Sequence, residues 1–125
     1  MLIIDDDEDV RDVYAIYLRY EGFNVAVAED GLTGLAYAQQ HRVDIVILDL
    51  TMPRMDGFEV TRQLRAHDRT RHLPIIVFSG GSGRTTDAQD AMAAGANAYC
   101  TKPCLPETLS REVKRLLQPP QSRTA

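Results

Sequence analysis

Five short apolar runs alternate with five helical stripes along this chain, and that alternation leaves few ways to fold. The runs are residues 2–4, 23–28, 43–48, 74–78 and 97–101. Each ends at a polar residue and feeds a stretch with helical spacing, the pattern of parallel strands buried on both faces. The first stripe is Val10, Val13, Tyr14, Tyr17 and Leu18, stopped by Gly22. The second turns Leu32, Leu35 and Ala36 inward and ends near His41. The third is Phe58, Val60 and Leu64, the fourth and weakest Ala88, Ala91 and Met92 up to Gly95, the last Leu109, Val113, Leu116 and Leu117. Residues 52–57 are loop, punctuated by proline and glycine. Five βα units with short connections predict an α/β fold. It is a doubly wound five-stranded parallel sheet with right-handed crossovers, helices on both faces and the 43–48 strand central.

Acidic residues close two of these runs. Asp5 and Asp6 follow the first and Asp49 follows the third. In an open α/β sheet the carboxyl ends of the strands border the ligand crevice, so three carboxylates are expected to meet at one rim. Like charges about 4 Å apart repel by roughly 1 kcal/mol in water and about 4 kcal/mol at an effective dielectric near 20. Stability does not favour such a cluster; a bound divalent cation accounts for it. Two further strand ends carry chemistry, with Ser79 after the fourth run and Lys102 after the fifth.

Composition excludes several functions. A chain of 125 residues suits one domain, and 44% apolar with 26% charged residues is ordinary for a globular protein. A net charge of −4 argues against general nucleic-acid binding, which needs a basic face. No run approaches the ~20 residues of a membrane span, and no signal-peptide pattern is present. Cys100 and Cys104 have no partner set for zinc; they read as structural thiols of a protein kept in a reducing cytosol.

Taken together, Ile3-Ile4-Asp5-Asp6, Leu48-Asp49, Met52-Pro53-Arg54-Met55-Asp56-Gly57, Ala94-Gly95-Ala96 and Thr101-Lys102-Pro103 make the chain resemble the receiver domains of two-component response regulators. The likeness runs from Leu2 to about Leu117 and implies the flavodoxin-like strand order 2-1-3-4-5, with a domain over 1–118 and a flexible tail over 119–125. It also implies that Asp49 accepts a phosphoryl group from a histidine kinase or histidine phosphotransfer protein. Mg²⁺ would be held by Asp5, Asp6, Asp49 and the backbone carbonyl of Thr51. Ser79 matches the switch hydroxyl, Lys102 the site lysine and Tyr99 the switch aromatic. The Lys102-Pro103 peptide is implied to be cis, aiming the ammonium into the site. The expected role is a cytoplasmic switch, not an enzyme acting on outside substrates. It would promote its own phosphorylation and dephosphorylation, and contact a downstream protein through roughly residues 86–117. No output domain is expected on this chain, and neither nucleic-acid nor membrane contact.

The chemistry stands beside the resemblance. A carboxylate attacks a phosphoryl group poorly because both are negative, and a hard cation with oxygen ligands together with a compact ammonium relieves that repulsion. An acyl phosphate then carries about one more negative charge than the carboxylate, enough to draw Ser79 and Lys102 inward. Simpler roles suit other residues: Asp7, Glu8 and Asp9 as caps of the first helix, Asp56 as a turn and cap, and His41, His67 and His72 as surface residues. Tyr99 could equally be a half-buried strand aromatic.

Three positions depart from the family pattern. Ser79 replaces the commoner threonine, Cys104 stands where phenylalanine is usual, and the 80–83 loop is dense in glycine and expected to vary without phosphate. Thr51 and Gly81, two residues beyond the acceptor and the switch hydroxyl, are modest in size, which suggests a phosphorylated lifetime of minutes. Rival classes fit less well. An aspartyl phosphatase wants a second aspartate at position 51, a phosphate-independent module usually lacks acceptor or lysine, and the acidic loop after the first strand would repel a nucleotide phosphate.

Overall fold

The computed structural model describes residues 1–79, 87–102 and 104–118. Its order is β1 (Leu2–Ile4), α1 (Glu8–Tyr20), β2 (Ala26–Ala28), α2 (Gly31–Gln40), β3 (Val46–Asp49), α3 (Gly57–Ala66), β4 (Ile75–Ser79), α4 (Asp87–Ala94), β5 (Ala98–Thr101) and α5 (Pro106–Leu117). The five strands form one parallel sheet in the order β2-β1-β3-β4-β5. This is the expected doubly wound fold, with the third strand at its centre.

Alternation along each strand divides the core in two. Leu2, Ile4, Val46, Leu48, Ile75 and Val77 pack with Leu35, Ala38, Val60, Leu64 and Ala91, which places α2, α3 and α4 on one face. Ile3, Ile47, Ile76, Phe78 and Ala98 pack with Tyr14, Ala15, Leu18, Leu109 and Val113, which places α1 and α5 on the other. Each fully buried Leu, Ile or Phe contributes roughly 1.5–3 kcal/mol by leaving water, so these two clusters dominate the fold.

Several boundaries and faces differ from expectation for local reasons. The 23–28 run supplies a strand only from Ala26, because Gly22, at a φ of +100°, turns the chain back and the Phe23 N–H donates to the Leu18 carbonyl. The third strand starts at Val46 because Asp44 is exposed, although Ile45 still accepts from the Leu2 N–H. The fourth begins after Pro74, which has no N–H to give, and includes Ser79. Val13, Leu32, Ala36 and Met92, expected inside, are exposed. On α2 the inner face belongs to Gly31, Gly34, Leu35 and Ala38. A Cβ on Gly34 would come within 2.4 Å of Ile4 Cδ1, so the helix lies too close to β1 for a larger residue. Large apolar residues mark a helix face only where the gap is wide enough to hold them.

Asp7 caps α1 through the N–H groups of Asp9 and Val10, and Asp56 caps α3 through that of Glu59, as the sequence suggested. His41, His67 and His72 are exposed. Among the described residues no helix is long and apolar enough to cross a membrane. The 80–83 loop, Gly81, Pro103 and the 119–125 tail, and the expectations attached to them, lie outside the described residues.

Candidate functional site

The site forms where β1, β3, β4 and β5 end. Asp5 continues β1 by one hydrogen bond, its N–H donating to the Ala28 carbonyl, and its side chain is fully buried. Its Oδ1 accepts from the Asp7 N–H at 2.9 Å and its Oδ2 from Lys102 Nζ at 3.1 Å. Asp49 is the last residue of β3 and is 5% exposed; its Oδ1 accepts from the same Nζ at 3.3 Å. Asp6 is exposed and faces the same corner. One carboxylate oxygen from each of Asp5, Asp6 and Asp49 lies within 4.8 Å of the others.

Lys102 is held from several directions. Its N–H donates to the Ser79 carbonyl at 2.6 Å, which extends the β4–β5 ladder past Thr101. Its ammonium lies 4.6 Å from the centroid of the buried Phe78 ring. Tyr14 meets Phe78 edge to face at 5.2 Å and donates its hydroxyl to the Cys104 carbonyl. One stack of side chains thus supports both Lys102 and the segment after it.

Three carboxylates against one ammonium leave an excess of negative charge, and the titration of the pocket reflects it. Burial first, then the neighbouring Asp5, push the Asp49 carboxyl up to about 6; Lys102 opposes them and Asp6 adds to them. Burial alone would lower Lys102, but Asp49 and Asp5 outweigh it and the ammonium holds its proton more tightly than usual. The donor set consists of oxygens only, partly buried and short of positive charge, which suits a hard divalent cation.

Asp5, Asp6, Asp49 and Lys102, identified from the sequence, therefore converge. Ser79 is buried at the end of β4, level with Thr101. Tyr99 is half-buried two rows earlier, opposite Val77, on the same face of the sheet as Ser79, and packs against the core under α2, α3 and α4. Thr51 is exposed just beyond Asp49.

Sequence reasoning missed four supports. Gly57 starts α3 directly over the end of β3, and its N–H donates to the Leu50 carbonyl. Met52 is buried and anchors the loop in the core. Arg54, in the same loop, takes a φ of +69°. Arg11 donates from Nη1 to the Asp5 carbonyl at 3.1 Å, while its Nε is buried without a partner among the described residues. The Met-Pro-Arg-Met-Asp-Gly string was the available signal for the first three; nothing local marked Arg11.

Known proteins share this fold and much of this sequence. The profile of the response regulator receiver domain matches residues 1–114. The DNA-binding dual master transcriptional regulator RpaA of Synechocystis sp. is 37% identical over 118 residues, covering 94% of this chain and 48% of that protein. The transcriptional regulatory protein SrrA of Staphylococcus aureus is 34% identical over 124 residues, covering 99% of this chain and 50% of its own length. The chain thus spans about half the length of the curated relatives it matches. Among solved structures, the chemotaxis protein CheY4 of Vibrio cholerae superposes with a TM-score of 0.86 at 34% identity, covering 93% of this chain and 96% of that one. With the sheet order, the acidic corner and this breadth of likeness in hand, the chain belongs to the response regulator receiver domain family, the signalling switches of two-component systems.

Proposed function

We propose that this chain takes a phosphoryl group onto the Asp49 carboxylate from a histidine kinase or histidine phosphotransfer protein, and that the modified form changes its contacts with a downstream protein. One observation carries the reading: three carboxylates converge on a corner whose lysine already bonds two of them. Asp5, Asp6, Asp49 and the backbone carbonyl of Thr51 would hold Mg²⁺. When bound, the ion would neutralise part of this charge and orient the incoming phosphoryl group.

Asp49 is the nucleophile. Its carboxylate oxygen bonds to phosphorus as the phosphorus–nitrogen bond of the donor histidine breaks, so the work of the protein is positioning and charge stabilisation. Lys102 Nζ, already within 3.3 Å of Asp49 Oδ1, donates to a phosphoryl oxygen. The Ser79 hydroxyl supplies a further donor. Tyr99, on the same sheet face, responds to the movement of Ser79 and transmits it to the surface formed by α4, β5 and α5, roughly residues 86–117. Thr51 leaves water a path to the phosphorus, which gives the protein its own dephosphorylation and a lifetime of minutes. The working unit is residues 1–118, acting in the cytoplasm.

Intact mass after incubation with acetyl phosphate and Mg²⁺ tests this. Wild type should gain one phosphoryl group and Asp49→Asn none. Equal gain by the variant, or none by wild type, would reject Asp49 as acceptor.

A further inference from the structure

At the amino-terminal rim of the sheet, opposite the acidic corner, lies a hollow of about 310 Å³. Two connections wall it, the one from α2 into β3 and the one from α3 into β4. The buried part of its lining is apolar, made by Ala38, Val43 and Leu73. The exposed part is polar: Arg42 and Arg69, His41 and His72, and one carboxylate, Asp44.

Two guanidinium groups against one carboxylate give this hollow a positive balance, in a chain whose net charge is −4. Among the described residues neither guanidinium has a hydrogen bond or an ion pair. Asp68, the carboxylate beside Arg69 in sequence, pairs with Arg71 at 3.4 Å. A single solvated arginine is ordinary. Two from separate connections lining one hollow repel each other and add nothing to folding.

The frame around them is rigid. Arg65 donates to the carbonyls of Arg71 and Leu73 at 2.9 and 2.7 Å, and Thr70 Oγ1 donates to that of Leu64 at 2.7 Å. These bonds fix the backbone that bears Arg69 and His72. On the α2 side the His41 ring stacks on Tyr37, centroids 4.1 Å apart, and its Nδ1 lies 3.3 Å from the Tyr37 carbonyl. A carbonyl only accepts, so Nδ1 carries the hydrogen and Nε2 is left for a ligand.

We infer that this hollow binds a small phosphate monoester, its phosphoryl group on Arg42 and Arg69 and its organic group on the apolar floor. Guanidinium groups match phosphate oxygens in pairs, and two of them answer a dianion better than a singly charged carboxylate. His41 Nε2 and the Asp44 carboxylate accept from hydroxyl groups of the ester. Asp44 would repel a second phosphate. The volume stands at the small end of ligand sites, which run from about 300 to 1,000 Å³, so the organic group is about one ring in size.

Phenyl phosphate is the probe, added to the whole chain in chelator and followed by backbone amide NMR. Wild type should show saturable shifts confined to residues 38–44 and 69–73. Asp49→Asn should show the same shifts, because the acidic corner takes no part, and the outcome is independent of which residue accepts a phosphoryl group. Arg42→Gln and Arg69→Gln should each weaken binding by about tenfold, the loss of one charge-assisted contact. Both positions are exposed, so both variants should keep the wild-type spectrum elsewhere. Inorganic phosphate should bind about fivefold more weakly, having no ring to place on the apolar floor. Phenol should give no saturable shift. The inference is overturned if phenyl phosphate gives none either, if its shifts centre on residues 5, 6 and 49, or if both arginine variants bind like wild type. Phenol or inorganic phosphate binding as tightly as the ester would overturn it equally.

Discussion

Gly57 lies against the backbone of Asp49 so closely that a Cβ at position 57 would stand 2.6 Å from the Asp49 carbonyl oxygen and 2.8 Å from Leu50 Cα. The first turn of α3 is thereby pressed onto the end of β3. In an ordinary helix glycine-to-alanine is stabilising by roughly 1 kcal/mol. Here the clash is with backbone that cannot swing aside, and overpacking of that kind costs about 1–3 kcal/mol. Gly57→Ala should therefore lower the urea midpoint, and should slow phosphoryl uptake by displacing Asp49. A midpoint equal to or above wild type would show that α3 can move off the strand.

The crowded pocket makes metal-free stability depend on pH. Asp49 titrates near 3.8 in the unfolded chain and near 6 in the folded one, so the folded state holds this proton more tightly. Its contribution to stability is complete below about pH 4 and is lost as pH rises to about 6. The full shift corresponds to about 3 kcal/mol, and solvent at the mouth of the pocket reduces that to about 1–2 kcal/mol. Urea melts in chelator at about pH 4 and about pH 7 should show Asp49→Asn gaining on wild type at the higher pH only. A gap that does not change with pH would mean that the carboxylate is relieved by some other group.

Asp6 is exposed and makes no cation contact among the described residues, yet its carboxylate reaches the same corner as Asp5 and Asp49. Removing it relieves repulsion and, on the proposed reading, takes away a Mg²⁺ ligand. Asp6→Ala should leave metal-free stability within about 0.5 kcal/mol of wild type or above it, as for most exposed positions. Calorimetric titration should show Mg²⁺ affinity falling by about tenfold, at the weaker end of the effect of losing a metal contact. A clear loss of metal-free stability would point to a capping role for Asp6.

At the opposite end of the sheet, Arg65 ties α3 to the turns on either side of it. Its guanidinium donates to the carbonyls of Gly95, Arg71 and Leu73 and to Asn97 Oδ1, at distances between 2.7 and 2.9 Å. Arg65→Ala strands the three carbonyls, while Asn97 Oδ1 keeps the Ile75 N–H, and should cost about 2–4 kcal/mol. Phosphoryl uptake per folded molecule should stay normal, because Asp49 and Lys102 sit at the other rim. Thermal melts beside intact mass would separate the two effects; a variant that melts like wild type but takes up no phosphate would contradict this assignment.

Much of the fold could be read from the chain because parallel strands buried on both faces leave a strong trace. Ile3, Ile47 and Ile76 serve one core cluster while Leu2, Val46 and Ile75 serve the other, so the central strands are apolar at successive residues whichever face each one meets. Strand ends were harder to read, since Phe23 and Asp44 are diverted by a helix terminus and by solvent. Helix faces were least legible where the packing partner is close. Gly31 and Gly34 line the inner side of α2 while Leu32 is exposed, and no property of leucine itself reveals how wide the gap beneath the helix is.

The same division holds for the pocket. The sequence alone determined that Asp5, Asp6, Asp49 and Lys102 follow strands, and parallel strands bring their carboxyl ends to one rim. Tertiary structure decided which oxygens share the ammonium, how far Asp49 is pushed from its ordinary titration, and that Gly57 and Arg11 brace the backbone beneath the carboxylates. Periodicity is a property of neighbours along the chain, whereas burial and charge pairing belong to residues that only folding brings together.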